Sequence, residues 1–218
     1  MSTVTAEQGH HDAHSAHDDH SHEPPYEVQL RSNRLGLWIF CFSEVFLFVA
    51  LLAARFYLLP GQRPELSQEL GLAATAILLI SSFYMNRAEV AISKGDQKRF
   101  LNSMMTTFIL GTAFFIGVVF MEWNIFGLDA ELFGIELFGH VKLTDGAVAA
   151  IFFAMTGMHA LHVLSGLVLI LIVWNNGRKG LYTAERHWAV EATAIYWHYV
   201  DLVWVFFYPA LYLMGSPV

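Results

Sequence analysis

Apolar residues run along this chain in long blocks broken by short polar stretches. Five blocks reach the length of roughly 20 residues that a helix needs to cross a bilayer. They lie at about 35–59, 70–91, 104–123, 147–174 and 192–213. The joints between them carry turn residues. Pro60-Gly61 and Pro64 follow the first block, and Lys94-Gly95-Asp96 follows the second. A glycine-rich, mildly acidic stretch, 124–145, separates the third from the fourth, and Asn176-Gly177 reads as the C-cap of the fourth. The pattern predicts an all-α integral membrane protein. It has a polar tail at 1–33 and one five-helix membrane domain at 34–218, with no internal repeat.

Composition agrees with this reading. Of 218 residues, 56% are hydrophobic and 14% are charged, well below the roughly 25% charged share of soluble domains. The net charge of −7 is dominated by residues outside the apolar blocks. No basic tract points to nucleic acid. Residues 1–33 hold no apolar h-region, so the first apolar block is expected to serve as the insertion signal. The lone Cys41 lies inside that block and reads as a packing residue.

The cations set an expected orientation. With the N-terminus inside, Arg31, Arg34, Arg87, Lys94, Lys98, Arg99, Arg178, Lys179 and Arg186 fall on the cytoplasmic side. Only Arg55, Arg63 and Lys142 fall outside. The positive-inside rule then favours N-in, C-out.

Several groups stand where lipid is hostile to them. Glu44 sits in the first block, and His159 and His162 in the fourth. Glu191 lies at the edge of the fifth, followed by His198 and Asp201. A charge at mid-bilayer costs at least about 2.5–3.5 kcal/mol, so such groups face a bundle interior, pair, or line a water path. His159 and His162 are i and i+3. Glu191 and His198 are seven apart, with Asp201 three further on, so each helix carries a polar line and the two lines are expected to meet. Gly157, Ser165 and Gly166 allow close helix approach near the histidines. Trp197 and Trp204 read as packing or lipid-contact groups, and Pro209 should bend the fifth helix.

Three chemistries fit this set: a hydrogen-bonded seam between helices, a metal or haem site, and a proton-linked network. A di-iron carboxylate bundle wants Glu-x-x-His motifs, and none of the five apolar blocks holds one. Axial haem ligation by histidines on facing helices stays open.

Four segments carry a family resemblance. "GMHALHVLSG" and "RHWAVEATAIYWHYVDLVWVFFYPALYL" look like the C-terminal half of cytochrome c oxidase subunit III. "SEVFLF" around Glu44 resembles the intramembrane glutamate segment of that family. "GDQKRFLNSMMTTFILGTAFF" resembles the segment joining its next two helices. The resemblance spans about Arg31 to Gly215. It implies the bacterial five-helix form, lacking the first two helices of the seven-helix mitochondrial members and, with them, the lipid cleft those helices border. It implies a non-redox subunit of a terminal oxidase in the bacterial inner membrane. Such a subunit packs on the catalytic subunit I beside subunit II, stabilises it, and supports proton uptake during oxygen reduction. Haem and copper are then expected in the partner subunits and none on this chain. Glu44, His159, His162, Glu191, His198 and Asp201 match the polar positions of the family and form an expected structural network without metal. Arg178 and Lys179 are placed to hold an anionic phospholipid head group. Homologous components of a quinol oxidase or nitric oxide reductase, and a stand-alone membrane metal-binding protein, are the alternatives.

The tail lies outside the resemblance. His10, His11, His14, His17, His20 and His22 alternate with Asp12, Asp18 and Asp19. Such a tract is expected to be disordered, with weak affinity for zinc, copper or nickel.

Overall fold

The computed structural model describes residues 25–64, 66–123, 131–132, 135–136 and 146–217. The histidine tract to His22, and most of the stretch between the third and fourth apolar blocks, including Lys142, lie outside the described residues. Five long helices are present: α1 Tyr26–Leu58, α2 Gln68–Ser93, α3 Gln97–Ile116, α4 Gly146–Arg178 and α5 Trp188–Tyr208. Side-chain caps start two of them. Ser67 accepts from the Leu70 N–H (3.4 Å), and Asp96 accepts from the Arg99 N–H (3.0 Å).

Boundaries differ from the apolar blocks for physical reasons. α1 begins at Tyr26 rather than near Leu35, because the polar residues ahead of the apolar block continue the same helix. α4 runs past Asn176-Gly177. Gly177 is not a cap: a Cβ there would lie 2.5 Å from the Phe100 ring, so glycine is required for the α3–α4 approach. The left-handed residue after the helix is Gly180, at φ 73°. At Pro209 the α-helix ends and a π turn, Pro209–Leu213, takes over, closed by the Met214 N–H to the Pro209 carbonyl (3.0 Å). Proline has no N–H to donate, which breaks the α ladder there.

Helices α2, α3, α4 and α5 pack in a ring, and α1 lies outside it against α4 and α5. Among the described residues, four helical segments are long and apolar enough to cross a membrane: Tyr26–Leu58, Gln68–Ser93, Gln97–Val119 and Gly146–Arg178. α5 does not reach that hydropathy, because Trp, Tyr, His and Asp occupy so many of its positions.

The two ends of the bundle are fastened differently. At one end, Gln97 donates to the Gly177 carbonyl and Arg34 pairs with Glu191. At the other, Arg55 is fully buried in the last turn of α1. Its guanidinium donates to three carbonyls: Ala210 (3.1 Å), Leu59 (2.8 Å) and Met214 (3.0 Å). Beside it, Gln62–Arg63 pairs in parallel with Ser216–Pro217. By sequence Arg55 reads as one of three outside cations. The structure makes it an internal clamp on helix-end carbonyls, which carry partial negative charge.

Candidate functional site

Trp197 stands at the centre of the ring. Its indole lies between two glycines, where a Cβ would approach it to 2.6 Å at Gly111 of α3 and 2.8 Å at Gly166 of α4. Its Nε1–H donates to Ser81 of α2 (3.1 Å). One side chain thus ties α5 to the other three helices of the ring. Trp204, about two turns further along α5, donates to Thr75 of α2 (3.0 Å). Both tryptophans are buried inside the bundle. Gly166 provides the close approach expected of it. Gly157 does not, since its nearest neighbour is the Trp123 ring at an ordinary 3.5 Å.

Around this centre the ionisable groups separate. His162 turns outward to α1, where its Nε2 meets the Glu44 carboxyl at 3.2 Å. Its Nδ1 lies 2.8 Å from the Met158 carbonyl, which can only accept, so Nδ1 carries a hydrogen. A hydrogen bond at Nε2 then needs either the acid form of Glu44 as donor or an imidazolium facing a carboxylate. Both side chains are largely shielded. One turn away, the Ser165 hydroxyl, the Tyr196 hydroxyl and the His162 carbonyl close a triangle. Ser165 to Tyr196 is 2.6 Å, Ser165 to the carbonyl 2.8 Å, and Tyr196 to the carbonyl 3.4 Å. The Tyr199 hydroxyl is buried nearby with no hydrogen-bond partner among the described residues, in electrostatic reach of Glu44 and Cys41.

His159 turns the other way. It is fully buried, stacked on Trp204 (5.0 Å between centroids, 29° between planes) and edge-on to Phe114 (5.8 Å). Neither ring nitrogen has a hydrogen-bond partner among the described residues. The i, i+3 spacing that places His159 and His162 side by side does not give them a common partner, because α4 is wedged between α1 on one side and α3 and α5 on the other.

The polar lines of α4 and α5 do not meet, as their spacing suggests they should. Glu191 pairs with Arg34 of α1 (2.8 Å). His198 Nδ1 meets the Ser82 hydroxyl of α2 (2.6 Å). Asp201 is buried against α2 near the same serine, with Oδ1 unpartnered among the described residues. The polar groups of α5 thus turn to α1 and α2 and away from the histidines of α4. Sequence spacing reports position along a helix and not which neighbour fills each side.

At the surface, the Arg178 guanidinium lies over the Trp174 ring (4.8 Å), and Lys179 is exposed. Among the described residues no three His, Cys, Asp or Glu side chains converge as a metal site would require. Chemically, the arrangement pins helices together through single hydrogen bonds and sets the Glu44 carboxyl against the His162 imidazole.

The hydroxyl partners escape a search for ionisable groups. Thr75, Ser81 and Ser82 accept or share the bonds that hold α5 to α2. Their signal in the sequence is a series of small hydroxyl residues spaced along α2. Arg55 escapes for another reason, since it stands near the end of an apolar block, where a cation normally reaches water.

The family model described as cytochrome c oxidase subunit III matches residues 17–216. A cytochrome c oxidase subunit 3 from Thermostichus vulcanus is 34% identical over 207 residues, covering 90% of this chain and 92% of that protein. The protein of the same name from Gadus morhua is 31% identical over 209 residues, covering 89% of this chain and 73% of that protein.

Proposed function

The chain belongs to the cytochrome c oxidase subunit III family, and from that premise we propose that it is the non-redox helical subunit of a respiratory haem-copper terminal oxidase. It stabilises the catalytic subunit I and supports proton uptake while oxygen is reduced to water. Subunit I is its direct partner and subunit II a further one. Haem and copper belong to those partners. The observation that carries this reading is the family match over residues 17–216, which takes in all five helices.

In this reading all five helices cross the bacterial inner membrane. α5 crosses because its polar groups are turned onto α1 and α2, and its deep tryptophans are buried. The orientation is N-in, C-out, since Arg34 and Glu191 gather the starts of α1 and α5 at the cation-rich end. Glu44, His159, His162, Glu191, His198 and Asp201 act as structural and proton-holding groups within the bundle. Arg178 and Lys179 meet phospholipid head groups. The tail histidines His10, His11, His14, His17, His20 and His22 form a weak site for a divalent transition metal.

The test is removal of the subunit from the purified oxidase. Turnover-linked proton uptake should then slow, and the remaining enzyme should inactivate sooner during sustained turnover. Unchanged uptake and unchanged lifetime would contradict the role.

A further inference from the structure

The bundle presents two kinds of outer face. α1 exposes Leu35, Trp38, Phe42 and Phe46, and α4 exposes Leu164, Val168 and Ile172. Acyl chains satisfy such faces completely. The seam between α2 and α5 differs. Ser82, Asn86 and Glu89 fall at i, i+4 and i+7 on α2, one above another on a single stripe. Glu191 and His198 lie opposite on α5. Asn86 is exposed, and Ser82, Glu89 and His198 are half-buried, so this file is open along its length.

Its hydrogen-bonding capacity is only partly used. Ser82 lies near the midpoint of α2, so the Ser82–His198 contact sits deep in the membrane on the spanning reading. That contact occupies Nδ1 of His198, and Nε2 of the half-buried ring has no hydrogen-bond partner among the described residues. Behind it, the buried Asp201 leaves Oδ1 unpartnered among the described residues. Toward the start of α5, Glu89 makes no ion pair among the described residues. Its electrostatic neighbours are His187 and Glu191, and Glu191 is already paired with Arg34. Lipid tails offer such groups no hydrogen bonds, whereas polar side chains between packed helices serve as adhesive.

We propose that the α2–α5 seam is the docking face for a transmembrane helix of another oxidase subunit. That helix presents a hydrogen-bonding side chain at the depth of His198 and a Lys or Arg opposite Glu89. Leu79 and Val205, exposed on the same two helices, supply the apolar contact that frames these bonds. Glu89 makes no ion pair among the described residues, and its neighbour Glu191 is already paired with Arg34, so a cation on the incoming helix complements it. The inference rests on the proposed role of the chain as a subunit of a larger membrane complex.

The experiment uses the intact complex with Cys41→Ala and one new cysteine carrying a photoreactive benzophenone. Asn86→Cys and Leu79→Cys should give adducts with a transmembrane peptide of another subunit, identified by mass. Phe42→Cys and Val168→Cys should give lipid adducts. Glu89→Lys should lower partner recovery on native gels several-fold, with Glu89→Gln between it and wild type. Lipid adducts alone from the seam, self-adducts between two copies of this chain, or partner adducts only from Phe42→Cys would overturn the docking face. Co-purification of haem-bearing partners with the unlabelled chain is scored separately. Its loss overturns the proposed function, whereas an intact complex without seam adducts overturns this inference alone.

Discussion

α1 and α5 reverse the expectation carried over from soluble proteins. The most apolar 18-residue stretch of α1 has a higher mean hydropathy than that of any of the other three apolar spans, yet only Cys41, Phe48 and Arg55 of the helix's 33 residues are buried. α5 misses the hydropathy of a span, yet ten of its 21 residues are buried. Between helices in lipid no hydrophobic difference drives burial, so shape and hydrogen bonds decide it. A helix at the centre needs indoles and hydroxyls that find partners, and glycines that admit them. A helix at the rim needs only to resemble its solvent. The inward contacts of α1 fit this rule too, because its polar ties to the ring are the specific bonds of Arg55, Glu44 and Arg34.

The sharpest way to break the contrast is at its centre. Trp197→Ala removes the wedge between Gly111 and Gly166 and the bond to Ser81, and should destabilise the bundle by about 3–5 kcal/mol, read as a lower midpoint of thermal unfolding in detergent. Gly166→Val should fail in the opposite sense, by forcing a side chain into the same indole. Next comes the deep tie of α1. Arg55→Met leaves the Ala210, Leu59 and Met214 carbonyls without their donor, and a loss of about 1–3 kcal/mol follows. Limited proteolysis should then cut near Met214–Ser216 in the variant and not in wild type. Arg55→Lys should rescue only in part, since an ammonium cannot reproduce the planar fork.

Smaller effects separate proton chemistry from packing on α1. Glu44→Gln can still donate to His162 Nε2, so stability should change by less than about 1 kcal/mol and the complex should assemble. Glu44→Ala should cost more, and equal losses in the two variants would show that the hydrogen bond contributes nothing. Smallest of all, Phe42→Leu on the outer face of α1 should stay within about 0.5 kcal/mol by the same unfolding measurement. A large effect there would mean that α1 is covered by protein and not by lipid.

Much of this architecture is legible in the chain. Apolar run length locates all five helices, and the cost of intramembrane charge singles out Glu44, His162, Glu191 and His198, each of which does have a partner on another helix. Pairing is not legible, because helical spacing leaves open which neighbour lies on which side. So His159 and His162, neighbours in register, part company around α4. Gly177 illustrates a second limit: a glycine near a helix end has the same sequence signature whether it caps the helix or admits a ring such as Phe100. Arg55 illustrates a third. A cation beside a turn reads as solvated until the carbonyls of a distant C-terminal segment are seen to surround it.

Whether this chain works as one subunit of a haem-copper oxidase is tested most directly by extracting the tagged chain in mild detergent. Its partners are identified by mass, and a reduced-minus-oxidised visible spectrum is recorded. The expected result is stoichiometric recovery of an oxidase catalytic subunit together with its haem bands. A chain recovered alone, without haem and with a bound transition metal, would contradict the proposed role.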